Sequence, residues 1–155
     1  DPAQFIKDKI LNDNLKKLLI NLGVKKFDLW RDPGLEWLGY RIIRPNMGDG
    51  YPASCKNWGA AAGVVSVWLP IIGFTKLETI ALSPGSHLKK YEKFMPQNSK
   101  FTDGEFRLSP SEKLNLKRLD LNLGEVVVYH PGTIHTEDVI ESNITRINLE
   151  FRFIN

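Results

Sequence analysis

The sequence predicts an all-β core, a jelly roll built as a double-stranded β-helix, preceded by one packing helix. Three observations carry this. A helical rhythm of apolar residues occupies residues 3–22 and stops at Gly23. Beyond it come short runs of β-branched and aromatic residues, each closed by Gly or Pro. No second helical rhythm separates those runs, so crossover units of a parallel sheet are not expected and antiparallel strands are. Residues 1–155 read as a single domain, with 1–23 as the helix and 36–155 as the core.

In the helix, Phe5, Ile6, Ile10, Leu11, Leu15, Leu18, Leu19 and Leu22 recur at three- and four-residue steps, with Lys and Asp between them. Gly23 suits the position after the last turn, where a left-handed backbone closes a helix. Trp37–Ile43 reads as the first strand, ended by Pro45 and the glycines that follow. Ala61–Leu69 is Val-rich and closed by Pro70, and Leu77–Leu82 is closed by Pro84-Gly85. Residues 89–113 are polar, contain Pro96, Gly104 and Pro110, and read as a long excursion of the binding-loop type. Leu114–Leu121 is a further strand candidate. Glu125–His130 and Thr145–Phe153 are the clearest strands of the chain, on either side of Pro131-Gly132.

Composition excludes several classes. At 155 residues, with 42% hydrophobic and 25% charged residues, the chain is an ordinary globular domain. The net charge of +3 is spread along the chain, so no nucleic-acid surface is implied. No apolar run is long enough for a membrane helix, and no signal peptide pattern is present. The one cysteine, Cys55, allows neither an intrachain disulfide nor a thiolate cluster, which fits a cytoplasmic protein. A first residue of Asp1 rather than Met predicts a processed or truncated chain.

The last strand carries the first chemical signal. Side chains alternate faces along a strand, so Arg146, Asn148, Glu150 and Arg152 share one face and Ile147, Leu149, Phe151 and Phe153 the other. A polar face on an outer strand meets water; on a closed roll it lines a ligand cavity. There an arginine holds a carboxylate through two parallel hydrogen bonds, which a lysine cannot copy. Glu150 lies about 13 Å from Arg146 along a straight strand, too far to be its direct partner. His135, in the turn before this strand, is expected to face the same cavity.

The segment GEVVVYHPGTIHTEDVIESNITRINLEFRF resembles the end of the phytanoyl-CoA-dioxygenase-like oxygenases, which use iron(II) and 2-oxoglutarate. The matching positions are Gly124, Glu125, His135, Asn143 and Arg146. Upstream, LETIALSPGSH resembles the family's Pro-Gly-Ser-His turn ending at His87, SVWLPI with Trp68 resembles the strand before it, and YRIIRP resembles the strand entering the metal-binding segment. The resemblance covers residues 40–153. It implies a cupin-like double-stranded β-helix, a small anionic ligand, His135 as a metal ligand, and Arg146, Asn148 and Trp68 as residues that bind the cofactor 2-oxoglutarate.

One part of the pattern is missing. Relatives carry a His-x-Asp pair shortly before a Trp, and alignment on Trp58 puts Ser54 at the His position and Lys56 at the Asp position. Iron(II) in such sites is held by two His and one carboxylate. His135 is then the one ligand the resemblance supplies, with Asp49, His87 and His130 as conceivable substitutes. Lys56 either joins Arg146 in a cationic site or lies on an exposed loop. Three functions follow: an active oxygenase that hydroxylates a small molecule with iron and with 2-oxoglutarate anchored by Arg146; a binding protein or subunit that keeps the cavity without oxidation; or a metal-independent sugar isomerase of cupin type, with His135 or His130 as base and Lys56 as electrostatic partner.

Overall fold

In the computed structural model, which describes residues 2–29, 38–46, 54–56, 63–75, 78–89, 93–94, 105–108, 114–136 and 142–154, the N-terminal rhythm forms a broken helix. Helix α1 (Pro2–Phe5) runs into a π-helical turn at Ile6–Ile10, the chain leaves helical geometry at Leu11, and α2 spans Asp13–Asn21. Asn12 causes the restart: it is extended, and its side-chain oxygen accepts from the Leu15 N–H at 3.0 Å. A single continuous helix over residues 3–22 is therefore corrected. The break shifts the phase of the apolar stripe. Ile6, Leu11, Leu15 and Leu19 are buried, whereas Phe5, Leu18 and Leu22 are exposed. Gly23 closes α2 with φ +94°, its N–H bonding Ile20 and the Val24 N–H reaching Leu19, a Schellman closure.

Among the described residues ten strands follow: β1 (Leu38–Ile43), β2 (Ser54–Lys56), β3 (Val64–Ile72), β4 (Ala81–Leu82), β5 (Lys93–Phe94), β6 (Glu105–Leu108), β7 (Lys117–Arg118), β8 (Val127–Tyr129), β9 (His135–Thr136) and β10 (Arg146–Ile154). Among the described residues they pair antiparallel in two sheets, ordered β1-β10-β3-β8 and β5-β6-β2-β9-β4-β7. The protein is thus mostly antiparallel β-sheet with a short helical N-terminus.

Several boundaries differ from the sequence expectation. β3 runs through Pro70 instead of ending there; its ladder with β10 shifts register between Ile147 and Asn148, and Pro70 lies at that irregularity. The excursion at 89–113 contains β5 and β6, whose two and four residues are too few to show a period. The candidate strands at 77–82 and 114–121 shrink to β4 and β7. His135 sits in a short strand and not in a turn, and Ser54–Lys56 is a strand and not a loop. Trp37, Trp58 and Asp49 lie outside the described residues.

β10 sits between β1 and β3 and serves both faces of its sheet. Leu149, Phe151 and Phe153 join Val67 and Leu69 of β3 and the buried helix residues in one apolar cluster. On the opposite face Trp68 and Val127 meet Ile80 and Leu82, so a second cluster ties the four-stranded sheet to β4 of the other. Deleting the Phe153 ring should therefore remove a contact shared by helix and sheet. Phe153→Ala is expected to cost about 3–5 kcal/mol in denaturant unfolding, whereas Ile42→Ala, at a side chain 55% exposed, should cost far less.

Candidate functional site

The polar face of β10 lies on the side of the sheet away from the helices. Arg146 is 1% exposed and Asn148 is 0% exposed. The register continues this face onto β1, where Gly39 is the Cα partner of Glu150, Arg41 of Asn148 and Ile43 of Arg146. A Cβ on Gly39 would meet the Glu150 Cβ at 3.4 Å, an ordinary van der Waals contact. Glu150 Oε1 accepts from the Tyr129 hydroxyl at 3.1 Å across the sheet.

Arg146 meets Glu78, on the segment after β3. Nη1 donates to the Glu78 backbone carbonyl at 3.5 Å, and among the described residues Nε has no acceptor. The Glu78 carboxylate is held elsewhere: Oε2 accepts from the Thr75 N–H at 3.3 Å, while the Glu78 N–H donates to the Thr75 carbonyl at 3.0 Å. Burial is the largest influence on this carboxyl and pushes its pKa up. Hydrogen bonds from Ser142 and Thr75, together with the Arg146 charge, outweigh burial and hold it below the ordinary value of 4.5. Gly73 lets the segment pass this close. At φ +76°, its missing Cβ would collide with the Thr145 carbonyl, one residue before Arg146.

His135 is presented by the other sheet. In β9 its Cα partners are Ser54 on β2 and Leu82 on β4. Nδ1 lies 2.7 Å from the Thr133 carbonyl, which can only accept, so Nδ1 is the donor of this bond. The ring meets Tyr129 edge-on with centroids 5.1 Å apart, and Tyr129 is the residue bonded to Glu150. His135 and the polar face of β10 are thereby linked through one tyrosine. The Pro-Gly-Ser-His turn supplies the mounting. Gly85 takes φ +75°, and the buried Ser86 hydroxyl accepts from the Ile134 N–H at 2.8 Å, immediately before His135.

The other expected site residues fall in different places. Trp68 is fully buried in the cluster that joins the sheets, edge-on to Phe74. His87 and His130 are exposed and stack on each other, with centroids 4.9 Å apart. His130 Nδ1 accepts from the Gly132 N–H at 3.0 Å. Sequence reasoning missed Glu78, Ser86, Tyr129 and Arg41. Parity with Glu150 across an antiparallel pair is the signal that could have found Arg41; nothing local marks Glu78.

The donor set does not fit iron. His135 is of a residue type that commonly binds metals. The positions that the resemblance assigns to the other two ligands hold Ser54 and Lys56, a neutral hydroxyl and an ammonium, neither a strong donor to iron(II). Among the described residues no three of His, Cys, Asp and Glu gather closely enough to hold a metal ion.

A depressed carboxyl pKa has a definite sign in stability. Glu78 should contribute stability that is fully present above pH 4.5 and lost as pH falls through its lower folded value. Melting of the parent and of Glu78→Gln across pH should show a gap at neutral pH that closes in acid. Ser86→Ala should cost about 1 kcal/mol from the lost bond and strand the Ile134 N–H, read by urea unfolding and by a shifted His135 imidazole resonance.

No family model matches the sequence, and no curated protein matches it. Among solved structures, the chain is similar to the non-heme monooxygenase ThoJ in its apo form, with a TM-score of 0.55 and 16% identity over 76% of this chain and 45% of that one. The ThoJ–nickel complex gives a TM-score of 0.48 at 14% identity, over 76% of this chain and 42% of that one. EvdMO1 gives 0.47 at 18% identity, over 76% of this chain and 26% of that one. The chain thus spans less than half the length of each. At this level of identity the likeness is one of fold: the chain shares its fold with part of the non-heme monooxygenase ThoJ.

Proposed function

We propose that the chain binds a small anionic molecule between its two sheets, on a double-stranded β-helix of the phytanoyl-CoA-dioxygenase-like kind whose iron site is impaired. The observation that carries this is Arg146: a guanidinium 1% exposed, with one long bond to a backbone carbonyl and no acceptor at Nε among the described residues. Burying a guanidinium without a matching anion is costly, and a planar fork of donors suits a carboxylate. Asn148, fully buried on the same strand face, is a further polar contact for that ligand. His135, buried on β9 of the other sheet, would give the ligand a hydrogen-bonding partner. The resemblance in sequence, from residue 40 to 153, and the likeness of fold to a non-heme monooxygenase both support the oxygenase-like scaffold.

The same reading separates ligand binding from oxidation. Oxygen chemistry on this scaffold needs the metal donors that Ser54 and Lys56 replace. The function is therefore recognition of an anion, in the cytoplasm, by a protein that has kept the cofactor arginine and lost two metal ligands.

Titration calorimetry with 2-oxoglutarate, citrate, lactate, phosphate and sulfate tests this. At least one should bind the parent, and Arg146→Ala should weaken it about tenfold or more, as expected for losing a charge-assisted bond worth roughly 1.5–3 kcal/mol. Equal binding by both proteins, or none by the parent, ends the proposal. For the metal, iron(II) or manganese(II) added anaerobically should show no stoichiometric site of micromolar affinity, about −8 kcal/mol; such a site would mean that other residues supply the donors.

A further inference from the structure

The guanidinium of Arg146 has a carboxylate of the chain for a neighbour, yet the two do not form a close pair. Glu78 is 8% exposed and offers Arg146 its backbone carbonyl, at 3.5 Å from Nη1. Its carboxylate is tied to the Thr75 N–H at 3.3 Å, and the Ser142 hydroxyl bonds it as well. This arrangement leaves the Nε edge of Arg146 for a ligand while placing a fixed negative charge beside the place where that ligand would sit. The carboxyl is held in its ionised form, since its pKa lies below 4.5.

The same opposition recurs one step along the face. Arg41 is the Cα partner of Asn148, and Glu150 is two residues further on β10, so Arg41 and Glu150 are diagonal neighbours across the β1–β10 pair. Arg146 thus has the Glu78 carboxylate nearby, and Arg41 has Glu150 as its diagonal neighbour in register. The remaining charge on this face of β10, Arg152, is at the far end of the strand, opposite Ser66. From the other sheet His135 turns its Nδ1 to the Thr133 carbonyl at 2.7 Å.

We propose that Glu78 sets the charge of the ligand, so that the cradle at Arg146 takes a group carrying a single negative charge and discriminates against dianions. The inference rests on the anion-binding role of Arg146 and narrows it. One ligand carboxylate satisfies the guanidinium. A second negative charge on the same small molecule meets the Glu78 carboxylate, while among the described residues of this face the other cations, Arg41 and Arg152, lie beside Glu150 and at the far end of the strand. Like charges a few ångströms apart in a partly desolvated site repel strongly enough to decide selectivity. The ligand class is then a small monocarboxylate or monoanionic sugar acid, and 2-oxoglutarate, with two carboxylates, is a poor fit.

The experiment compares propionate and lactate with succinate, 2-oxoglutarate and sulfate by calorimetry on the parent, Glu78→Gln and Arg146→Ala. The amide of Glu78→Gln keeps an oxygen for the Thr75 N–H and removes the charge. The parent should favour the monoanions, and Glu78→Gln should shift the preference toward dianions by about tenfold, with Arg146→Ala weak toward both. Dianions binding the parent as tightly as monoanions overturns the inference without any variant. An unchanged preference in a Glu78→Gln protein that melts cooperatively overturns it too. If the parent binds neither class, or if Arg146→Ala binds as the parent does, the anion role of Arg146 itself falls, and the selectivity with it.

Discussion

Strand β10 must satisfy two environments at once, and most of the structure follows from how it does so. Its odd-numbered residues Leu149, Phe151 and Phe153 enter the apolar cluster under the helices, and its even-numbered residues present Arg146, Asn148 and Glu150 to the other side. A slip of one residue would exchange the two sets and put a guanidinium and an amide among phenylalanines. The flanking strands fix the register on both edges, six residues of β1 on one side and most of β3 on the other. The irregularity at Pro70 falls beside Asn148, where the ladder needs a bend and proline offers no N–H to lose.

The second sheet reaches this face through a few contacts. Trp68 and Val127 pack on Leu82 and Ile80, and Tyr129 touches both His135 and Glu150. His135 would be poorly fixed by a two-residue strand alone. It is held from behind, by Thr133 on its Nδ1 and by Ser86 on the preceding N–H. Arg146 is treated in the same way: Glu78 clasps its entry through Thr75 and Ser142, and Gly73 is pressed on Thr145. Both sites thus depend on short turns whose glycines and hydroxyls do the positioning, while the strands supply direction.

Strand parity made β10 legible in the sequence, because alternation over nine residues has one consistent solution once one face is apolar. The helix stop at Gly23 was legible for the same kind of reason, since the left-handed closure demands glycine. The break at Asn12 was not: the apolar rhythm on either side continues through it, and only the cap geometry shows that asparagine wins locally over helix propagation. The six-stranded sheet was mostly illegible, because strands of two to four residues carry too few positions to show a period. For the site, Arg146 and His135 were legible from order and spacing. Glu78 was not, because its role arises from a contact between residues far apart in sequence.

The retained arginine and the missing donors bear on each other physically. A buried guanidinium with incomplete acceptors lowers the stability of the empty protein, because its desolvation is not repaid by hydrogen bonds. A ligand carboxylate that supplies those acceptors binds the folded chain and not the unfolded one, so occupancy adds stability as RT ln(1 + [L]/Kd). An iron site would draw on the same effect through three donors, but Ser54 and Lys56 give a metal nothing comparable to hold. On the proposed reading, Arg146 is the group whose unmet need couples ligand to fold. Glu78, which holds its carboxylate on Thr75 and Ser142 instead of closing on the guanidinium, keeps that need unmet: a direct pair would satisfy Arg146 internally and leave no reason for an anion to enter.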